Sequence, residues 1–247
     1  MKKIIGLFLL ILSLLTVSAC SETKPTDNKT SVDTQPTEVT EPENDAYTVK
    51  VLFPDGSIVT ENASIQWCET ECSLPKKVNS EGIASIELKD PTEKYYIHFT
   101  KIPTGYTYNP NIYTATKDSK HVEITLMTLC TPTSGDGSSS SRYVVSTGAY
   151  NVSVTDGGIV YYSFTANEAG TYVIESMAVD KLALNEIDPA LGFKNANNKT
   201  EQITDGGVGA NFKYEVTLEA NSTFEFMIAV SKATEYPAEF DFTISKK

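Results

Sequence analysis

Four cysteines and two histidines are the scarce reactive side chains of this 247-residue sequence. Cys68 and Cys72 are separated by Glu69-Thr70-Glu71. In an extended strand their Cα atoms would stand about 13 Å apart, whereas a disulfide needs about 4.4–6.8 Å. A bridge therefore requires the chain to turn at 69–71; the alternative is a pair of thiols kept reduced. An oxidising compartment would favour the bridge. Closing so short a loop adds about 2 kcal/mol at most on the chain-entropy account. Cys130 is left over, either free or joined to another chain. Cys68, Cys72, His98 and His121 have the residue types for zinc, but the histidines lie 23 positions apart and no helix is patterned to carry them. No metal site is expected from them. Asp156-Gly157-Gly158 and Asp205-Gly206-Gly207 could offer carboxylates and carbonyls to calcium, but hairpin turns use the same residues for backbone reasons, and the turn is the preferred reading. Ser73-Leu74-Pro75-Lys76 has the spacing of a nucleophile and a base on one helix face. Pro75 disfavours a helical Leu74, and the surroundings read as strands. There is no HExxH, no GxSxG and no phosphate loop. No catalytic residue and no cofactor is expected, and the chain is read as non-enzymatic.

The elements that must carry these residues read as β throughout. Thirteen Tyr and ten Phe accompany the two His, a bias toward strands. Short runs at 47–53, 63–67, 82–88, 94–99 and 121–127 are rich in Val, Ile, Tyr, Phe and Thr. Between them stand Pro54-Asp55-Gly56, Asn79-Ser80-Glu81-Gly82 and Pro103-Thr104-Gly105, in which proline presets φ and glycine supplies positive φ. Tyr95, Ile97 and Phe99 alternate with Tyr96, His98 and Thr100, the period of a half-buried strand. Residues 130–141 have the composition of a flexible Gly/Ser linker. The 142–247 segment alternates again: Phe240, Phe242 and Ile244 fall on one face, Asp241, Thr243 and Ser245 on the other. The 177–204 stretch is poorly patterned and is expected to form the longest loops, the default place for a ligand site on a sandwich. Trp67, Tyr161, Tyr162 and Tyr214 could stack on sugars if exposed, but packing is the preferred role for most of them. The architecture expected is all-β, with two β-sandwich domains in tandem at 47–129 and 142–247.

The N-terminus sets the location. Lys2 and Lys3 precede a nearly unbroken apolar run at 4–15, too short for a spanning helix and apt for an export signal. It ends in Val17-Ser18-Ala19-Cys20, which resembles the lipobox of bacterial lipoproteins. The resemblance implies removal of residues 1–19 and attachment of a diacylglyceryl group to the Cys20 sulfur, with acylation such as palmitoylation. Segment 20–46 is rich in Thr, Pro and acids, with Val32, Val39 and Ala46 its only apolar side chains after Cys20. It can bury no face and reads as a disordered tether, spanning about 28 Å root-mean-square if flexible. The formal net charge of −12 and pI near 4.7 exclude sequence-independent nucleic-acid binding and oppose adsorption to anionic membrane surfaces. Membrane retention must then come from acyl chains on Cys20, at about 0.8 kcal/mol per buried CH₂.

Residues 47–129, with the Pro54-Asp55-Gly56 turn, "NSEGIASIEL", "YYIHFTKIPTGYTY" and "HVEITL", resemble the prealbumin-like, Cna B-type repeat of bacterial surface proteins. That family is a small β-sandwich used for display, and many members form an internal Lys–Asn isopeptide bond assisted by an acid four residues before the proline of P-x-G-Y. Here that position is Phe99, and the last strand offers no asparagine to Lys50, so no isopeptide is expected. Residues 142–247 resemble the prepeptidase C-terminal type sandwich through "VYYSFTANEAGTYVIES" and "NSTFEFMIAV". The resulting expectation is a lipoprotein held at the bacterial surface, displaying β-sandwich modules for binding or adhesion to a surface protein or glycan. The alternatives are a carbohydrate-binding lipoprotein and an accessory subunit of a surface enzyme.

Overall fold

The alternation of apolar and polar residues becomes eighteen strands, and among the described residues every regular element is a strand. The structure, a computed structural model, describes residues 47–60, 62–69, 71–88, 94–114, 120–178 and 187–247. All of these fall within one compact unit, Asn44–Lys247, that holds two hydrophobic cores.

The first core is enclosed by two sheets. β1 (Tyr47–Leu52), β2 (Ser64–Cys68), β3 (Lys76–Lys77), β4 (Ile83–Ile86), β5 (Lys94–Lys101), β6 (Tyr106–Thr107), β7 (Ile112–Thr114), β8 (His121–Thr125) and β9 (Met127–Cys130) follow in order. One sheet runs β4-β1-β8 and the other β3-β2-β5-β7. β1 turns Val49 and Val51 inward, β2 Ile65 and Trp67, and β5 Tyr95, Ile97 and Phe99. Each such side chain, fully buried, contributes about 1.5–3 kcal/mol. Gly82 takes φ 72°, and a Cβ there would meet Ile58 at 2.4 Å. Its turn is therefore closed to other residues.

The second core lies between a five-stranded and a six-stranded sheet. Its strands are β10 (Tyr143–Val145), β11 (Gly148–Val154), β12 (Ile159–Thr165), β13 (Gly170–Ser176), β14 (Ile187–Lys194), β15 (Thr200–Ile203), β16 (Lys213–Leu218), β17 (Thr223–Ala233) and β18 (Ala238–Lys246). The orders are β10-β12-β17-β14-β15 and β16-β13-β18-β11-β9-β6. Tyr162, Phe164, Phe226 and Phe242 fill the space between them, with ring centroids 5.0 Å apart for Tyr162–Phe242 and 5.1 Å for Tyr162–Phe226. Burial pushes the Tyr162 phenol well above its ordinary range, with Tyr143 adding to the effect.

Two expectations are corrected here. Segment 130–141 is not a free linker. Cys130 ends β9, which pairs antiparallel with β6 and parallel with β11, so a single four-residue strand belongs to both halves of the body. The glycines and serines beyond it are hydrogen-bonded in place. Tyr161 N–H donates to the Gly137 carbonyl at 2.9 Å, and Val144 N–H to that of Ser134 at 2.9 Å. Gly135 is there for close approach, since a Cβ would lie 1.9 Å from the Arg142 carbonyl oxygen. The 177–204 stretch is likewise not all loop, because it contains β14 and β15.

Candidate functional site

Among the described residues, those with the clearest chemical types do not assemble into a reactive centre. Cys68 and Cys72 are joined as a disulfide with Cα atoms 3.9 Å apart. The chain turns at Glu69 and Glu71 as the bridge requires, and Glu69 N–H donates to the Glu71 carbonyl at 3.2 Å. His98 and His121 stand on strands of different sheets, and His121 Nδ1 lies 2.6 Å from the Thr48 hydroxyl. Ser73 Oγ accepts from Trp67 N–H at 3.1 Å and donates to the Leu74 carbonyl, while Lys76 reaches Glu87 at 3.5 Å. Asp156 lies in the turn between β11 and β12, closed by Gly158 N–H on the Thr155 carbonyl at 2.8 Å. Asp205 lies beyond β15, its carboxylate accepting from the Thr204 hydroxyl at 3.1 Å. Among the described residues no group of three His, Cys, Asp or Glu side chains is placed to hold a metal ion. Cys130 is an unpaired, half-buried thiol. Lys50 alternates outward from Val49 and Val51 and reaches Glu123 at 3.8 Å, while Phe99 is buried. Cys20 and the tether lie outside the described residues.

Of the four aromatic candidates, three pack. Trp67 is 7% exposed and its indole N–H donates to the Glu87 carbonyl at 2.8 Å. Tyr162 is in the core, and Tyr214 stacks beside Phe193 and Phe224 at 4.7 and 5.8 Å. Tyr161 differs. The period of β12 sends Val160, Tyr162 and Phe164 inward, so Tyr161 turns to the outer face of the five-stranded sheet.

That face is grooved. The register sets Tyr161 opposite Met227, Met227 opposite Gly192, and Gly192 opposite Gln202. In the neighbouring row Ile159 pairs with Ala229 and Ala229 with Ala190. β14 turns Leu191 and Phe193 into the core, which leaves Ala190 and Gly192 as its outward residues. Two adjoining cavities of about 450 and 380 Å³ share Tyr161, Gly192, Lys194 and Met227. Small residues form the floor. Tyr161 and the 45%-exposed Ile159 border one side, and Lys194, Thr200 and Gln202 the other.

The charges at the groove are nearly balanced. Arg142 sits 5.3 Å from the Tyr161 ring centroid and 3.1 Å from the Glu225 carboxylate. Lys194 Nζ donates to the Thr200 hydroxyl at 2.8 Å. Such a surface can bind by apolar contact, ring stacking and hydrogen bonds; it presents no nucleophile paired with a base. Of these residues sequence reasoning singled out Tyr161, with packing as its preferred role, and passed over the rest. The available signal was Pro189-Ala190-Leu191-Gly192-Phe193, a strand whose outward positions are small.

No family model matches the chain, and no curated protein matches it. Solved structures show loose likenesses. The pre-peptidase C-terminal domain of collagenase from Bacillus anthracis is 8% identical over 42% of this chain and 92% of its own, with a TM-score of 0.28. The Bacillus anthracis TIE protein is 13% identical over 81% of this chain and 31% of its own, at 0.27. A streptococcal ancillary pilin is 11% identical over 83% of this chain and 60% of its own, at 0.27. The matched region thus spans about a third of the second protein and three fifths of the third.

Proposed function

We infer that this chain is a non-enzymatic bacterial surface lipoprotein that displays two β-sandwich cores for binding. Cys20 carries the lipid, segment 21–46 spaces the body from the membrane, and the cores supply the interaction surface. The observation that supports this is one of order. The first strand begins at Tyr47, directly where the Thr-, Pro- and acid-rich segment ends, so the whole β body follows the Val17-Ser18-Ala19-Cys20 sequence at the end of a tether. Sharing of β9 by both halves suits a body that presents its surfaces at fixed positions.

The test is made on the full chain expressed in a bacterial host with a lipoprotein-processing pathway. Detergent-phase partitioning is expected to carry the wild-type chain into detergent and leave the Cys20→Ala chain unprocessed. Mass spectrometry of the mature N-terminal peptide is expected to begin at Cys20 with a diacylglyceryl adduct. A mature chain beginning at any other residue, or an unmodified Cys20 sulfur, overturns the reading.

A further inference from the structure

We propose that the groove on the outer face of the five-stranded sheet is a binding site for a neutral oligosaccharide, lying across the strands with one sugar ring against Tyr161. The site deepens the display reading above by naming its ligand class.

The solvent face of a sheet ordinarily carries polar or long side chains. At the middle of this one stand Ala190 and Gly192, and Ala190 is 1% exposed. Gly192 has no positive φ, so its backbone does not require glycine. What it supplies is room: an added Cβ would lie 3.1 Å from both the methyl and the Cγ carbon of Met227. Any larger residue would push Met227 up into the groove and fill it. Glycine inside a strand weakens the strand and marks places where another group approaches closely.

The ends of the groove are chemically different. Tyr161 presents a ring held by Arg142 on one side. Three inter-strand steps away, about 14 Å at about 4.8 Å each, stands the exposed Gln202, which offers both a donor and an acceptor. Lys194 and Thr200 add donors beside it. An aromatic plane, an apolar floor and a polar far edge match a ligand with apolar ring faces and hydroxyl edges. Among the described residues the lining charge favours a neutral ligand over a cationic one: Arg142 is offset by Glu225, Lys194 commits a donor to Thr200, and no unpaired acid lines the groove to attract a cation. A bound peptide strand would instead pair with the backbone edge of β15, which ends this sheet, and would not need the face.

Isothermal titration calorimetry on the mature full chain in detergent, with chitohexaose, cellohexaose, maltohexaose and mannohexaose as neutral probes and oligogalacturonate as the anionic one, tests the proposal. At least one neutral probe is expected to bind, and both Tyr161→Ala and Gln202→Ala to weaken it tenfold or more. Gly192→Leu should abolish binding. Tyr236→Ala, at an exposed tyrosine elsewhere, should leave it unchanged. Circular dichroism of each variant confirms folding, and the Gln202 variant, at an exposed position, keeps the test valid if Gly192→Leu misfolds. Binding to none of the neutral probes, binding to oligogalacturonate alone, or binding that survives both Tyr161→Ala and Gln202→Ala overturns it. These readouts do not depend on lipidation, so a failed groove and a failed anchor are told apart.

Discussion

The phenolic hydroxyl of Tyr172 donates to the backbone carbonyl of Glu168, four residues earlier, at 2.7 Å. Tyr150 makes the equivalent reach on β11: its oxygen accepts from Ser146 N–H at 2.9 Å and donates to the Ser146 carbonyl at 3.1 Å. Each tyrosine is 2% exposed and pins the turn that leads into its own strand while its ring packs in the second core. This is the same device as the tyrosine corner of β-sandwiches. Tyr172→Phe keeps the ring and its contact with Phe164 at 4.9 Å but strips the Glu168 carbonyl of its partner. The expected cost is about 1–2 kcal/mol, read as a lower midpoint in urea with unchanged slope. A variant as stable as the wild type would mean that water replaces the hydroxyl without loss.

Asn211 is the more severe case. It is 2% exposed, and its carboxamide oxygen accepts from the Ser176 hydroxyl at 2.8 Å and Ala178 N–H at 2.7 Å. Its nitrogen donates to the Ala178 and Val208 carbonyls, both at 2.7 Å. Asn211→Ala leaves several buried groups unpaired and is expected to cost about 3 kcal/mol or more. Asn211→Asp cannot donate to two carbonyls when ionised. Its destabilisation should therefore grow as pH rises through the carboxyl's titration, which thermal melts at acid and neutral pH would show.

Strands with one apolar face were legible in the sequence. β1, β5 and β18 show their inward Val49 and Val51, Tyr95 and Ile97, and Phe240 and Phe242 as a plain period of two. β14 was not legible because its outward residues are as buried as its inward ones: Ala190 and Gly192 are small and sit below taller neighbours such as Met227, so the pattern from Pro189 to Phe193 is continuous burial, and Pro189 falls where the register with β17 shifts. The groove was hidden for the same reason, since Ala190 and Gly192 read as weak strand formers until their direction is known. Gly and Ser at 134–141 were read as freedom. In the fold, Gly135 and Gly137 instead satisfy positive φ and close packing, at 90° and 79°. The 68–72 turn was legible only on condition of a bridge, since free thiols would have allowed an extended strand; with the bridge made, the Cα atoms come to 3.9 Å, closer than the usual disulfide span.

Asp188, at the start of β14, should make stability pH-dependent. Its carboxyl is raised above the ordinary range, first by burial and then by the nearby Asp205 charge, with Lys232 opposing. A folded-state pKa above the unfolded one contributes stability that is fully present below the unfolded pKa and is lost as pH rises through the folded pKa. Asp188→Asn removes that loss. The variant is expected to melt higher than the wild type at neutral pH, with the gap closing as the buffer is taken below the carboxylate range. A variant that melts lower at neutral pH would show that the Lys232 attraction outweighs burial.

Reducing the Cys68–Cys72 disulfide should weaken the first core without unfolding it. The loop it closes is so short that the chain-entropy contribution is about 2 kcal/mol at most. The loop is held a second way: Ser73 N–H donates to the Trp67 carbonyl at 2.8 Å, and Trp67 N–H donates to Ser73 Oγ at 3.1 Å. These bonds bracket the bridge and persist without it. Thermal melts with and without reductant should therefore both be cooperative, the reduced form melting slightly lower. Intact mass under the two conditions should differ by the two hydrogens of one disulfide, and neither should lack an ammonia, because Lys50 faces Glu123 and the buried Phe99 offers no carboxyl to assist a crosslink. Loss of the cooperative transition on reduction would show that the sulfur bridge, not the backbone pairing around Trp67, holds this end of the sheet.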